Sequence, residues 1–358
     1  MTYKLPTAFF AYPSQPAALP ETIRAAVEQI NGSKQTYVRT WEEATISGKP
    51  IIHEICGAIE SADLLLADLT GLNPNVLFEV GFAISKNRRI WAVLDTTLSQ
   101  SEFTELKTLT TIGYAGYANS SDIARAYFRE RPHDDLGATL LETMIQPNLQ
   151  PGQSQTFLYL KSQHETDASI QITKRLDPIP IRLIVDDPRE APSQTLTWYG
   201  QQVYTADAVL CHFTNPARQG SRIRNARYAL VAGMAHGMGK NVLVLCEGDY
   251  LAPLDYRDMM RQYQTAAAAV RHVDAWLSSL EHRWTATQQS REQHSAKLRL
   301  ATELKSLNLG EYIAENESDR LVDGYFMETT AYREALSGTH TIFVGRKGTG
   351  KSANFCFS

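Results

Sequence analysis

Apolar and polar positions in the first hundred residues fall into two alternating kinds of stretch. Short apolar runs cover Thr7–Tyr12, Gln35–Arg39, Asp63–Leu69 and Arg89–Leu94. Between them lie longer stretches with helical character, Pro20–Ile30, Pro50–Glu60 and Pro74–Lys86. Strand and helix alternating at this length predict a parallel sheet covered on both faces. The run at Asp63–Leu69 is apolar without alternation, as a strand buried on both faces should be. Open sheets of this kind bind ligands beyond the carboxyl ends of their strands. That rule puts Tyr12, Trp41, Asp68 and Asp95 near one rim. A helix around Asp122–Arg129 is expected to close the unit, and the stretch 146–154, with two prolines, to act as a linker.

The pattern then repeats. "TFLYLKSQ" at 156–163 echoes "AFFAYPSQ" at 8–15, and "YTADAVLCHFTNP" at 204–216 echoes "ESADLLLADLTGLNP" at 60–74. "VAGMAHGMGKNVLVLCE" at 231–247 echoes "EVGFAISKNRRIWAVLD" at 79–95. Three echoes in one order, at offsets of 148, 144 and 152 residues, predict a tandem duplication. The fold class that follows is α/β. Two tandem flavodoxin- or Rossmann-like parallel-sheet modules occupy 1–150 and 151–285. Residues 286–336, rich in Glu, Lys, Arg, Leu and Ala, predict a helical connector. Residues 337–358 begin a P-loop NTPase domain.

Composition narrows the class without changing this picture. The 358 residues are 43% hydrophobic and 21% charged, with a net charge of −4, so no global attraction to nucleic acid or anionic lipid is expected. No apolar run approaches the roughly 18 residues of a membrane span, and Met1–Leu5 lacks the features of a signal peptide. Cys56, Cys211, Cys246 and Cys356 are scattered, which predicts buried thiols in a reducing compartment. The expectation is a cytoplasmic protein with no membrane partner.

Candidate chemistry concentrates in "ADLTGLNPNVLFEVGFA", 67–83. A strand ends at Asp68, Asn73 can cap a helix, and Pro74 suits its first turn. Val76, Val80, Ala83 and Ile84 recur at helical spacing and are expected to face the sheet. Glu79 falls on the flank of that stripe, where the bland expectation is a solvated side chain. Gly81 would allow a close approach of the helix to a neighbour. The stretch resembles the nucleoside 2-deoxyribosyltransferases, whose motif ends in Glu-Leu-Gly, and the TIR-like nucleotide-binding domains with Asn-Val-x-Phe-Glu-Leu-Gly. The matching residues are Asn75, Val76, Phe78, Glu79 and Gly81, with Val80 in place of Leu. The resemblance covers most of 7–95 and implies that Glu79 is the catalytic glutamate. Asp68 is a second candidate acid, and Tyr12, Trp41, Asn73 and Asn75 are candidate substrate contacts. One carboxylate suits N-glycosidic cleavage, because it can stabilise or capture an oxocarbenium-like carbon. NAD, whose nicotinamide departs neutral without a proton donor, fits this better than a nucleoside or nucleotide does.

The second copy keeps the strands and the glycine and loses the carboxylate. Aligning Gly233 with Gly81 puts Val231 at the position of Glu79, and His212 stands where Asp68 does. A structural, dimerising or ligand-sensing role is expected, with His212 and His236 as packing or surface residues. "RQGSRIRNARY", 218–228, offers four arginines to a phosphate or nucleic-acid backbone, though a solvated loop is the simpler expectation.

At the C-terminal end, "GRKGTGKS" matches G-x-x-x-x-G-K-[ST] in full and follows the apolar run Thr341–Val344. Gly345, Gly348 and Gly350 would cradle the phosphates of ATP, Lys351 would reach the β and γ phosphates, and Ser352 would ligate Mg²⁺. Six residues follow, so the expectation is a piece of a larger protein that binds ATP weakly or not at all by itself. The region resembles the start of P-loop ATPases of bacterial antiphage defence. That implies an N-glycosidase effector regulated by the ATPase, a homo-oligomer, and a phage or nucleic-acid trigger. The alternative is a non-catalytic module that senses a nucleotide or assembles the ATPase.

Overall fold

The computed structural model describes residues 5–280, apart from 44–49, 99–100, 111, 136, 147–148, 152–154, 192, 251–255 and 257–258. The expected helical connector and the P-loop, with Gly345, Gly348, Gly350, Lys351 and Ser352, lie outside the described residues.

The first half runs β1 (Thr7–Ala11), α1 (Ala18–Gly32), β2 (Tyr37–Thr40), α2 (Ile51–Ser61), β3 (Leu64–Asp68), α3 (Pro74–Ser85), β4 (Arg89–Asp95), α4 (Ser101–Leu106), β5 (Tyr114–Tyr117), α5 (Ser120–Glu130) and α6 (Leu140–Met144). The second runs β6 (Thr156–Leu160), α7 (Asp167–Leu176), β7 (Arg182–Asp186), α8 (Leu196–Thr205), β8 (Ala208–Phe213), α9 (Ser221–Gly237), β9 (Asn241–Glu247) and β10 (Met260–Tyr263), then α10 at 266–280. The five strands of each half form one parallel sheet. The orders are β2-β1-β3-β4-β5 and β7-β6-β8-β9-β10, so both follow the flavodoxin-like 2-1-3-4-5 sequence. The chain is therefore α/β, with two tandem Rossmann-like modules.

In the first module, alternation along the strands sorts the core into two faces. Leu64 and Leu66 of β3 join Phe10, Tyr12, Val38 and Tyr127 under α1 and α5. Leu65 and Ala67 point the other way, into a core with α2 and α3. Helix α1 shows why it sits where it does: Leu19, Ile23, Ala26, Val27 and Ile30 are buried at three- and four-residue spacing.

The core under α3 does not stop at the module boundary. It continues through Tyr199 and Val203 of α8 and through Tyr228 to Ala235 of α9, then into the second sheet. Helices α3 and α9 make the most extensive contact between any two helices of the described residues. They are equivalent elements, each following the third strand of its module, so the halves join as a pseudo-symmetric pair. This corrects one expectation. A single apolar stripe was expected on α3, yet every residue from Val76 to Ile84 is buried. One side of the helix faces its own sheet and the other faces α9. On the far side of the second sheet, Phe157 of β6 stacks on Trp276 at 5.3 Å, and Arg175 of α7 pairs with Asp274 at 2.5 Å. No helix among the described residues is long and apolar enough to cross a membrane.

Candidate functional site

The carboxyl ends of β1, β3 and β4 bring Ala11, Asp68 and Asp95 to one edge of the first sheet, with Tyr12 and Trp41 just beyond β1 and β2. Tyr12 and Trp41 meet there, their ring centroids 6.0 Å apart. Tyr12 is buried, and burial, with Glu42 nearby, pushes its phenol up to about 12 against a lowering contribution from Thr40. Among the described residues, the Tyr12 hydroxyl, the Trp41 indole N–H and the Asn75 side-chain oxygen are each enclosed and make no hydrogen bond of ordinary geometry. Such atoms are normally paired, which sets these three apart.

Helix α3 begins beside this edge. Asn73 caps it, as its sequence position suggested: its side-chain oxygen accepts from Asn75 N–H at 2.9 Å and Val76 N–H at 3.4 Å, and Pro74 occupies the first turn. The Asn73 side chain is thus committed to the helix, while the Asn75 oxygen is not.

Glu79 lies in the second turn of α3 and is 6% exposed. The blander alternative, a solvated side chain on the helix flank, is overturned: α9 packs along α3, and Glu79 is buried. A carboxylate in such surroundings needs compensation, and this burial separates Glu79 from an ordinary surface glutamate.

Asp68 is also fully buried, and its bonds define its place. One carboxylate oxygen accepts Thr70 N–H at 2.8 Å, and the other accepts the Tyr117 hydroxyl at 2.7 Å. Thr70 in turn accepts Asp95 N–H at 2.8 Å through its hydroxyl. The network ties together the ends of β3, β4 and β5. Burial raises the Asp68 carboxyl, the Thr70 and Tyr117 hydrogen bonds oppose the rise, and Asp95 adds to it. By strand alternation Asp68 points to the α1/α5 face, whereas Glu79 rides on α3 across the sheet. The two candidate acids therefore belong to opposite faces of the sheet. Sequence reasoning missed Tyr117, because β5 is only four residues long and its "YAGY" carries little apolar signal.

The second module repeats the plan with different chemistry. His212, at the position of Asp68, takes a matching tyrosine: its Nε2 lies 2.6 Å from the Tyr263 hydroxyl, and its Nδ1 lies 3.2 Å from Tyr159. Burial pulls this imidazole down to about 4, with Glu247 opposing. His236 packs against Phe78 and Phe82, each ring centroid 5.9 Å away. Val231, opposite number of Glu79, is wholly buried. The arginine-rich stretch is not a solvated loop. It supplies the first turns of α9, and Arg224 and Arg227 are 7% and 3% exposed. Helical spacing turns these two inward while Arg222 points out to Glu102 and the Gly71 carbonyl.

No protein-family model matches this chain, and no curated protein matches it. Among solved structures it is similar to the Clostridium botulinum CMP N-glycosidase BcmB, with 18% identity and a TM-score of 0.27 over 35% of this chain and 98% of that one. It is also similar to the GTP-bound wild-type EhRabX3 of Entamoeba histolytica, with 8% identity and a TM-score of 0.25 over 78% and 99%. Scores this low carry no argument about fold or activity. What stands is the strand order: two Rossmann-like modules joined through equivalent helices, of which only α3 carries a buried carboxylate.

Proposed function

We propose that the first module cleaves an N-glycosidic bond in NAD or in a nucleoside or nucleotide, with Glu79 as the carboxylate that meets the sugar. The observation that carries this reading is the contrast between equivalent helices. Glu79 is a buried acid on α3, while the equivalent position of α9 holds the buried apolar Val231. The enclosed polar atoms of Tyr12, Trp41 and Asn75 support a ligand at the adjoining rim.

In this proposal a Glu79 oxygen approaches the sugar carbon as its bond to nitrogen breaks, and the bonding electrons leave with the base. Nicotinamide departs neutral. Water then attacks the sugar carbon and releases the carboxylate, giving the free sugar hydroxyl and a proton, which a nucleobase that leaves as an anion takes up. Asp68, held by Thr70 and Tyr117, shapes the rim in this reading. Regulation by ATP and Mg²⁺ through the P-loop, and a role in antiphage defence, belong to the same proposal and rest on the sequence resemblance alone.

The test is turnover of NAD and of a nucleoside and nucleotide panel, followed by chromatography of the released base. Glu79→Gln preserves size and is expected to lower turnover at least about 100-fold. Equal turnover in both proteins overturns the assignment. So does the absence of any released base from the full-length protein, which leaves the module a binding one.

A further inference from the structure

The loop between β3 and α3 leads from Asp68, through Leu69, Thr70, Gly71 and Leu72, to the helix cap Asn73. Two of its residues hold a left-handed φ, 68° at Gly71 and 48° at Leu72. Glycine adopts that region freely, but it costs a leucine energy, and such a conformation persists only where its surroundings hold it. Part of the hold comes from the first module. Asp68 accepts Thr70 N–H at 2.8 Å, the Thr70 hydroxyl accepts Asp95 N–H at 2.8 Å, and Leu72 is fully buried.

The rest comes from the second module. Arg222, in the first turn of α9, donates from Nη2 to the Gly71 carbonyl at 3.1 Å. Its Nη1 lies 3.2 Å from a carboxylate oxygen of Glu102 on α4. One planar guanidinium thus bridges α9, the β3–α3 loop and α4, a reach that arginine's fork of donors allows. A methyl group on Gly71 would stand 3.8 Å from the same Nη2, so the guanidinium lies against the loop. Arg222 has a firm base. The Thr214 hydroxyl, just after β8, donates to the Ser221 hydroxyl at 2.8 Å. The Asn225 side chain accepts Thr214 N–H at 3.1 Å and donates to the Thr214 carbonyl at 2.8 Å. Beyond that turn, α9 packs along α3. The second module therefore holds both the helix that carries Glu79 and the loop that leads into it.

We propose that Arg222 is a positioning residue for the first module's reaction. It sets the turn at Gly71 and Leu72, and with it the cap at Asn73 and the start of α3, so that turnover at Glu79 depends on the second module. This inference rests on the glycosidase reading; Arg222 itself meets no substrate in it. The second module, which lacks the carboxylate, gains a definite share in the chemistry of the first. Stability and rate should part company at this residue. An exposed ion pair contributes little to global stability, whereas a small misplacement of a reacting group lowers rate steeply.

Turnover and hydrogen exchange of the full-length protein test this. Arg222→Ala is expected to unfold cooperatively at the wild-type midpoint, with kcat about tenfold lower and KM within about twofold. Arg222→Lys keeps a cation for Glu102 and is expected to restore kcat to within about threefold of wild type. Arg175→Ala removes an exposed ion pair on the far side of the second sheet and is expected to leave turnover unchanged. In Arg222→Ala, backbone amides of 69–76 are expected to exchange at least about fivefold faster, with those of β1 and β6 unchanged. Wild-type protein that releases no base overturns the glycosidase reading and this inference with it. Given an active wild type, the positioning role alone is overturned if Arg222→Ala keeps its kcat or its exchange at 69–76. An equal loss in Arg175→Ala overturns it as well. If Arg222→Ala does not unfold cooperatively, Glu102→Gln decides, and an unchanged kcat there overturns the role.

Discussion

Gly81 and Gly233 face each other's helices where α3 crosses α9. A methyl group on Gly81 would overlap the Leu230 carbonyl oxygen and approach Met234 N to 2.9 Å, and one on Gly233 would overlap the Phe78 carbonyl oxygen. The two backbones thus touch with nothing between them. The glycine of the Glu79 motif is explained by this crossing and needs no role in chemistry.

Alanine at either glycine is expected to push the helices apart and destabilise the protein by about 2 kcal/mol, even after the helix propensity gained. The double variant should cost less than the sum, because one displacement relieves both clashes. Gly57 of α2 supplies the contrast. A methyl there meets nothing within 4 Å, so Gly57→Ala should stabilise by roughly 0.5–1 kcal/mol. Chemical denaturation of the four variants checks the set, and equal effects at Gly57 and Gly81 would refute it.

His212 sets a pH dependence. Its folded value of about 4 lies below the ordinary 6.5, so the unfolded chain binds the proton more tightly. Stability from this residue is complete above about 6.5 and declines as pH falls toward 4, by a total on the order of 3 kcal/mol. Asp187 acts lower on the scale. Burial alone would raise its carboxyl, but hydrogen bonds from Lys161 and Arg189 outweigh that and hold it at about 2. Its contribution is present above about 4 and lost as pH falls through 2. Unfolding free energies measured from pH 7.5 to 4 should therefore slope in the wild type and flatten in His212→Gln. A slope unchanged in that variant would remove His212 as the cause.

Tyr12 offers a test that separates binding from folding. Its buried hydroxyl makes no hydrogen bond of ordinary geometry among the described residues, so Tyr12→Phe should leave stability unchanged or raise it by up to about 1 kcal/mol. If the rim holds the substrate, the same change should raise KM several-fold with a smaller effect on kcat. A loss of stability with unchanged kinetics would make Tyr12 a packing residue.

Much of the fold was legible because buried parallel strands write themselves as apolar runs. Four strands and four helices of the first module fall within a few residues of their expected places. The elements that escaped are β5, α4 and α6, all short, and all stabilised by what they pack against more than by their own pattern. Met144 of α6, for instance, sits against Gly200 of α8 in the other module. The site was legible in part. Asn73 and Gly81 could be read locally, since a cap and a close approach each need one residue type. The burial of Glu79 could not, because it depends on α9, about 150 residues along the chain. For the same reason Arg224 and Arg227 resembled a solvated cluster until the helix that carries them was seen to lie against the first module.

The joining of α3 to α9 has a consequence for divergence. When two identical subunits meet across a symmetry axis, every substitution at the contact is made twice and must suit both sides. Fusion into one chain frees each side to vary alone. Here one helix carries Glu79 where its counterpart carries Val231, and the counterpart carries Arg227 where the first carries Asn75. A contact built from two equivalent helices can in this way differ on its two sides, each resting on a framework that the other helps to keep.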